Sequence, residues 1–184
     1  MLHRWCVKSP RWSSVPTPSS PLIFACMQEP GSLTDRLIKT QRVFDVTVLR
    51  LGEDLAAADE AARLGIEVGV AIIVRHVALT LDGQRVVMAR SFCRRACPVW
   101  LPILDRGSRS LGSTLFSDDT PRERGRLEYS MIGGRHPLFT LGQHGEAASV
   151  YAARRCRFEM RGAPMVVSEV FLPRLERALV TGPD

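Results

Sequence analysis

The dipeptide Asp82-Gly83 constrains the fold of this chain more than any other feature, because it joins two runs with strand character, 70–81 and 84–93. A two-residue Asp-Gly connection is a strong short-range signal for a β-hairpin, since its backbone needs positive φ angles that these residues tolerate. The two runs are therefore predicted to pair as antiparallel strands. Their register decides which side chains share a face.

Other segments predict a sheet that is decorated by short helices. Two runs around Gly162-Ala163 predict a second hairpin, and an Ala-rich segment over 54–64 predicts a helix that ends at Gly65. Further elements are expected as a helix capped by Ser32, a strand over 44–51, a short helix near Leu111, a loop over 132–148 and a final helix near 174–179. This order predicts an α+β fold with an antiparallel sheet. The sequence lacks βαβ alternation, a Gly-rich phosphate loop and a Gly-x-Ser-x-Gly elbow, which excludes nucleotide binding and serine hydrolase chemistry.

The length of 184 residues suits one domain with a sizeable core. Residues 1–22 mix Pro, Ser, Trp and basic residues without a period, which predicts a disordered leader before a single domain over 23–184. No stretch approaches the roughly 20 apolar residues that cross a bilayer, so stable membrane insertion is not expected. The five cysteines are odd in number and irregularly spaced. A reducing compartment is favoured, and we expect a cytoplasmic protein.

The net charge of +6 comes almost entirely from arginine, since only Lys8 and Lys39 are lysines. Such a surplus suits a nucleic-acid surface, a solvated surface or a site for a small anion. The sequence has no basic tail and no recognition-helix, zinc-finger or RNP-like pattern, so nucleic-acid binding is not expected. Cys93 and Cys97 have a spacing found in zinc-binding pairs, but no second pair exists and the four His are scattered. No metal site is expected.

Strand parity places arginine on an apolar face of the first hairpin. Side chains alternate between the faces of a strand, so Arg75 shares a face with the apolar residues 77 and 79. With Asp82-Gly83 as a symmetric turn, Arg75 is expected directly opposite Arg90. Like charges opposed on a sheet are destabilising, and arginine cannot escape by losing its proton. A carboxylate of the protein or a bound anion should therefore lie beside them.

The second hairpin supplies a candidate carboxylate on the same kind of surface. Pairing about Gly162-Ala163 sets Glu169 opposite Cys156 on an apolar face, with Arg155 and Arg157 on the solvent-facing side. Two interpretations remain open from parity alone. One is a buried Arg–Glu pair that only stabilises the sheet, and the other is a site in which surplus arginine binds an anionic ligand.

Five segments of the chain resemble the chorismate–pyruvate lyase family, in the family's order, over about residues 31–173. They are GSLTDRL from Gly31, VRHV from Val74 followed by DGQ and ARS, LGSTLF from Leu111, RRCRF from Arg154, and GAP from Gly162 running into SEVFLP. Each segment is short and weak alone. Together, with the matched spacing around the Asp-Gly turn, they form a specific match.

The resemblance implies a mostly antiparallel β-sheet with short helices that cover an internal ligand pocket. It also implies conversion of chorismate to 4-hydroxybenzoate and pyruvate, without metal or organic cofactor, as the first step of bacterial ubiquinone synthesis. The family's catalytic positions fall here on Glu169 and Arg75, and its other substrate-binding positions fall on Leu33, Leu111 and the basic residue Arg90. Arg75 would clamp the ring carboxylate and Glu169 would meet the ring hydroxyl.

Two functions of other classes stay open beside the lyase. The ligand-binding domains of some bacterial transcription regulators share this general fold and bind small molecules without catalysis. They normally follow a DNA-binding domain, which residues 1–22 are too short and too rich in Pro to form. A structural or nucleic-acid-binding module would instead use the arginine surplus. A monomer is expected, because no apolar stripe is left over once the sheet and helices are covered.

Overall fold

The computed structural model describes residues 10–16, 19–116 and 122–181, apart from the side chain of Ser113. The strands in this part of the chain are β1 Phe44–Leu55, β2 Ala71–Leu81, β3 Gln84–Arg94, β4 Glu123–Arg124, β5 Glu128–Ile132, β6 Tyr151–Met160 and β7 Ala163–Phe171. The helices are α1 Pro21–Met27, α2 Leu33–Ile38, α3 Ala58–Leu64, α4 Leu101–Leu104, α5 Leu111–Leu115, α6 Pro137–Gly145 and α7 Pro173–Val180.

The strands form one sheet in the order β1-β2-β3-β7-β6-β4, with β5 also paired to β6. Every pairing between these strands is antiparallel, and the two hairpins meet where β3 pairs with β7. The predicted α+β fold class is thus confirmed. The predicted loop over 132–148 is wrong, because this segment contains α6, whose first turn is capped by the ring of His136. Pro137 at its first position suits a helix start.

The β2–β3 turn has positive φ at both Asp82 and Gly83, as the Asp-Gly signal predicts. A β-bulge follows at once, so that Val86 has no partner in the register between β2 and β3. Its carbonyl instead accepts a hydrogen bond from the amide of Leu172, just beyond β7. One extra residue in one strand sends every later side chain of that strand to the other face.

The predicted pairing of Arg75 with Arg90 is therefore wrong. Arg75 lies opposite Ser91, and Arg90 lies opposite His76, so the two arginines are on different faces of the sheet. No repulsion between them needs to be relieved. The reason is the bulge, which a symmetric count from the turn does not include.

The β6–β7 turn is centred on Arg161 and Gly162, both with positive φ, one residue earlier than expected. A shift of the turn by one residue changes the partner of each residue by two positions. Residues two apart lie on the same face of a strand, so each side chain still faces the predicted side of the sheet. Glu169 consequently pairs with Arg154 rather than with Cys156. The predicted apolar face is correct for Glu169.

The sheet is covered on both faces. We call the face that carries Arg75 and Glu169 the pocket face, and the face that carries His76 and Arg90 the outer face. Side chains of α1 and α2 pack on the pocket face with the apolar residues of β2 and β3. Helices α3 and α6 pack on the outer face, where two apolar clusters join them to β2, β3 and β7. Arg155 was expected on a solvent-facing side, but it is buried there.

Residues 10–16 differ from the expected disordered leader, because they are placed against the sheet. Ser13 exchanges two backbone hydrogen bonds with Tyr129, of 2.9 and 2.8 Å. The indole of Trp12 donates to Asp59 at 2.8 Å, and its ring lies 4.1 Å from the guanidinium carbon of Arg155. Residues 19–22 of the expected leader are also ordered, since Ser20 caps α1 and Pro21 begins it, whereas 1–9, 17 and 18 lie outside the described residues. Within the described chain, no helix is long and apolar enough to cross a membrane.

Candidate functional site

A pocket opens on the pocket face, between the sheet and the N-terminal ends of α2 and α5. The space between its lining atoms amounts to about 610 Å³, part of it open to solvent. Most of its wall is apolar, formed by Val46, Val77, Leu79, Ala89, Leu115, Phe116, Leu127, Phe158 and Val167. Four charged side chains interrupt this wall, namely Arg75, Arg124, Arg154 and Glu169.

Arg75 lies in the pocket wall with only 3% of its surface exposed. Its Nη2 donates to the carbonyl oxygens of Gly107 and Arg109, at 2.8 and 3.1 Å, which orients the guanidinium. Burial lowers the pKa of Arg75, but arginine keeps its charge at any physiological pH. No carboxylate pairs with it among the residues that the structure describes. Arg75 therefore presents an uncompensated buried charge to the pocket.

Arg154 and Glu169 form an ion pair across β6 and β7 at the other side of the pocket. The Nη1 of Arg154 also donates to the carbonyls of Cys26, Met27 and Glu29, at 3.1, 3.3 and 2.9 Å. These carbonyls lie at and just beyond the end of α1, where a cation is favourable. Arg154 is thereby held, and it orients the carboxylate of Glu169 at the pocket wall.

Arg124 is the third arginine of the pocket, and its Nε is buried without a hydrogen-bond acceptor. Its Nη1 donates to the carbonyl of Pro30, and its guanidinium carbon lies 4.9 Å from the centre of the Phe116 ring. Cys156 lines the same pocket, where burial raises the pKa of its thiol and Arg124 opposes that rise. As with Arg75, the described residues supply no carboxylate partner.

The starts of α2 and α5 meet at the mouth of the pocket. Leu33 and Leu111 occupy the first helical positions, where backbone amides have no acceptor within their own helix. The hydroxyls of Thr34 and Ser110 are 2.6 Å apart and tie the two helices together. This approach requires glycine at position 112, because a Cβ there would lie 2.7 Å from the Oγ of Ser32.

The strand register sets the distance between the two ends of the pocket. Arg75, on β2, is opposite Ser91 on β3, which is opposite Val167 on β7. Glu169 lies two residues further along β7, opposite Ala89. With about 4.8 Å between neighbouring strands and about 3.4 Å per residue along a strand, two strand steps and an offset of two residues put the Cα atoms of Arg75 and Glu169 about 12 Å apart. Both side chains line the same pocket, so one ligand can contact both of them.

Arg90 is not part of this pocket. It is fully buried on the outer face, where its Nε and Nη2 donate to the two oxygens of Glu60, at 2.7 and 3.1 Å. Its Nη1 donates to Asp54 and to the Nε2 of His76, each at 2.8 Å. Burial and then the charge of Arg90 lower the pKa of His76 to about 4. On this evidence Arg90 stabilises the sheet rather than contacting a ligand of the pocket.

The structure thus brings together Leu33, Arg75, Leu111 and Glu169 and separates Arg90 from them. Sequence reasoning missed Arg124, which lies in a two-residue strand too short for a parity signal. The described residues contain no cluster of three or more His, Cys, Asp or Glu that could hold a metal ion. Burial and a neighbouring Cys97 raise the pKa of Cys93 to about 12, so this thiol stays protonated.

The structure combines an antiparallel α+β sheet with an apolar pocket in which Arg75 and Arg124 have no carboxylate partner among the described residues, an arrangement typical of proteins that bind small anionic molecules. The match to a family model then identifies the family. The model of chorismate lyase matches residues 11–179. The chain belongs to the chorismate lyase family, and family membership supports a lyase.

Individual relatives agree with the family model. The chain is 39% identical over 155 residues to a probable chorismate pyruvate-lyase of Thiobacillus denitrificans, covering 81% of each chain. It is 35% identical over 167 residues to probable chorismate pyruvate-lyase 1 of Burkholderia pseudomallei, covering 89% of this chain and 90% of that one.

Solved structures share the fold at low identity. The effector domain of PhnF from Mycobacterium smegmatis matches with a TM-score of 0.55 and 14% identity, over 78% of this chain and 90% of that one. Full-length PhnF matches with a TM-score of 0.57, also at 14% identity, over 80% of this chain and 66% of that one. At this identity the likeness concerns the fold alone.

Proposed function

We propose that this protein eliminates pyruvate from chorismate to give 4-hydroxybenzoate, without a metal or organic cofactor. The observation that carries the proposal is the charge of the pocket. Arg154 is neutralised by Glu169, whereas Arg75 and Arg124 have no carboxylate partner among the described residues. Two uncompensated cations in an apolar pocket match a substrate that is a dianion with an apolar ring.

In the proposed complex, Arg75 binds the ring carboxylate of chorismate. Its guanidinium is already oriented by two backbone carbonyls, so little side-chain freedom is lost on binding. The free amides of Leu33 and Leu111 donate to oxygen atoms of the substrate, and the two leucine side chains cover the ring. These roles follow the family resemblance at those positions.

Glu169 meets the ring hydroxyl at the other end of the pocket. In the reaction the bond between the ring and the enolpyruvyl oxygen breaks, and the hydrogen leaves the ring carbon that bears the hydroxyl. That hydrogen ends on the methylene carbon of the enolpyruvyl group, which becomes the methyl group of pyruvate, and the ring becomes aromatic. Two mechanisms are compatible with this balance. Either Glu169 assists proton transfer, or the pocket holds a conformer that eliminates intramolecularly.

The test is direct turnover with the purified protein. Chorismate is added in the presence of a chelator, the absorbance of 4-hydroxybenzoate is followed, and pyruvate is quantified in parallel. We expect the two products in equal amounts and a saturable rate. Arg126→Gln serves as a control variant, because this arginine is exposed and lies outside the pocket wall. Loss of turnover on chelation would contradict the cofactor-independent form of the proposal.

Other outcomes would favour the alternative classes. Saturable binding of chorismate without formation of products would indicate a sensor domain. Salt-dependent affinity for nucleic acid, with neither binding nor turnover of chorismate, would indicate a nucleic-acid-binding module. The proposal further includes a monomer in the cytoplasm that supplies ubiquinone synthesis. Light scattering tests the oligomeric state. Restored ubiquinone in a bacterium that cannot form 4-hydroxybenzoate tests the physiological role.

A further inference from the structure

The Nε of Arg124 is buried at the wall of the pocket. Among the described residues, it is the buried side-chain nitrogen that lacks a hydrogen-bond acceptor. Leaving a donor of a charged group unpaired inside a protein costs free energy. Such an atom is expected at a place where a ligand completes the hydrogen bonding.

The surroundings of Arg124 hold its guanidinium in place without neutralising it. One nitrogen donates to the carbonyl of Pro30, and the face of the guanidinium lies against the ring of Phe116. Neither contact supplies a negative charge. Arg124 lines the same pocket as Arg75, so the charge that it offers faces the substrate.

The position of Arg124 determines which part of the substrate it can reach. It lies on β4 opposite Phe158 of β6, the strand that also carries Arg154. Arg75, on β2, is three strands from β6 in the sheet, about 14 Å away. Arg124 therefore lies on the β6 side of the pocket, across the sheet from Arg75, and its level along the strands is that of Met165, four residues from Glu169.

We propose that Arg124 binds the carboxylate of the enolpyruvyl group, an inference that rests on the proposed function. In chorismate the enolpyruvyl ether is attached to the carbon next to the one that bears the hydroxyl. The enolpyruvyl group is therefore displaced to one side of the axis between Arg75 and Glu169, and Arg124 is, besides Arg75, a pocket cation without a carboxylate partner among the described residues. The ring carboxylate and the enolpyruvyl carboxylate then each have their own arginine.

This assignment separates the two products. After the carbon–oxygen bond breaks, the carboxylate held by Arg124 belongs to pyruvate, while 4-hydroxybenzoate keeps only the carboxylate held by Arg75. Arg124 therefore contributes to the binding of chorismate and not to the binding of 4-hydroxybenzoate. A residue that merely supports the pocket wall would affect both ligands alike.

The experiment compares the two ligands in Arg124→Gln, Arg124→Lys and the exposed control Arg126→Gln. For Arg124→Gln we expect KM for chorismate to rise about 10- to 100-fold, as for loss of a charge-assisted hydrogen bond. The inhibition constant of 4-hydroxybenzoate should stay within about twofold. Arg124→Lys keeps the charge and should recover part of the loss. Thermal melting of each variant checks that it is folded.

The outcomes are distinct. An equal loss of affinity for both ligands, or an unchanged KM for chorismate in Arg124→Gln, would overturn the assignment of Arg124 while leaving the lyase function intact. Absence of turnover in the wild-type protein would overturn the proposed function, and the assignment of Arg124 with it.

Discussion

Arg154 donates its Nε to the Oε2 of Glu169 across a directly paired position of β6 and β7. The same arginine holds three carbonyls at and just beyond the end of α1, so the carboxylate is tied to a rigid part of the fold. An ion-paired carboxylate that is fixed in this way offers its oxygens to a ligand in a set position. This arrangement favours a role for Glu169 in positioning the substrate over a role in proton transfer.

The variant Glu169→Gln tests that role. Because a glutamine keeps the shape and an acceptor oxygen, we expect kcat to fall by no more than about tenfold, whereas loss of a general acid or base typically costs about 10²- to 10⁴-fold. The measurement is kcat for chorismate as a function of pH in the variant and the wild-type protein. A much larger loss, together with disappearance of a titration from the pH–rate profile, would show that Glu169 transfers a proton.

The variant Arg75→Gln should bind both chorismate and 4-hydroxybenzoate poorly, because both carry the ring carboxylate. We expect each affinity to fall about 100-fold. The same change removes a buried charge that has no carboxylate partner among the described residues, so the melting temperature of the ligand-free protein should be unchanged or higher. Calorimetric titration and thermal melting give the two results. A variant that is less stable yet binds normally would contradict both expectations.

Arg90 should matter for stability more than for substrate binding. In Arg90→Gln the carboxylates of Glu60 and Asp54 lose their buried partner, so we expect the free energy of unfolding to fall by about 3–5 kcal/mol. Denaturant titration measures this loss. KM of the folded fraction should change less than it does in Arg75→Gln, since Arg90 lies on the outer face. A larger change in KM for Arg90→Gln than for Arg75→Gln would instead support the substrate contact that the family resemblance implies for Arg90.

His76 should make the protein less stable as the pH falls. Its pKa is lowered to about 4 in the folded chain, below the value of about 6.5 in an unfolded chain. Between these values the unfolded state binds more protons, so stability falls as the pH drops from about 6.5 to about 4. The loss should reach at most about 2 kcal/mol, since the half-buried ring is partly screened.

Denaturant titration at several pH values checks the effect of His76. The variant His76→Gln, which keeps a side-chain acceptor for Arg90, should flatten the stability profile over that pH range. A slope that persists in His76→Gln would assign the pH dependence to other groups.

Gly112→Ala tests the convergence of α2 and α5. The added Cβ would lie 2.7 Å from the Oγ of Ser32 and 3.0 Å from the Oγ1 of Thr34, so the two helix starts must move apart. We expect a loss of about 1–3 kcal/mol in stability and a higher KM for chorismate. Gly52→Ala is the control, because a Cβ at Gly52 meets nothing within 4 Å. Wild-type kinetics in Gly112→Ala would show that the pocket does not depend on this contact.

Much of the local structure was accessible from short-range signals. The turn at Asp82 and Gly83 has positive φ angles, and Ser32 caps α2. Both features depend on residues that are neighbours along the chain, so the sequence pattern predicts them. Helix α6 was missed, because its Gly-rich and His-containing segment has little intrinsic preference for a helix. Its stability comes from packing on the outer face, which a pattern cannot show.

The sequence alone determined that two hairpins carry Arg75 and Glu169 on apolar faces, since alternation along a strand is a local property. Only the tertiary structure decided that Arg90 leaves that face and that Arg124 joins it. At the bulge, the carbonyl of Val86 accepts a hydrogen bond from the amide of Leu172, which is remote in the chain. The two-residue strand β4, which carries Arg124, is positioned by its pairing with β6. The charge of the pocket is therefore a property of long-range pairing, because a single inserted residue exchanges the two faces of a strand.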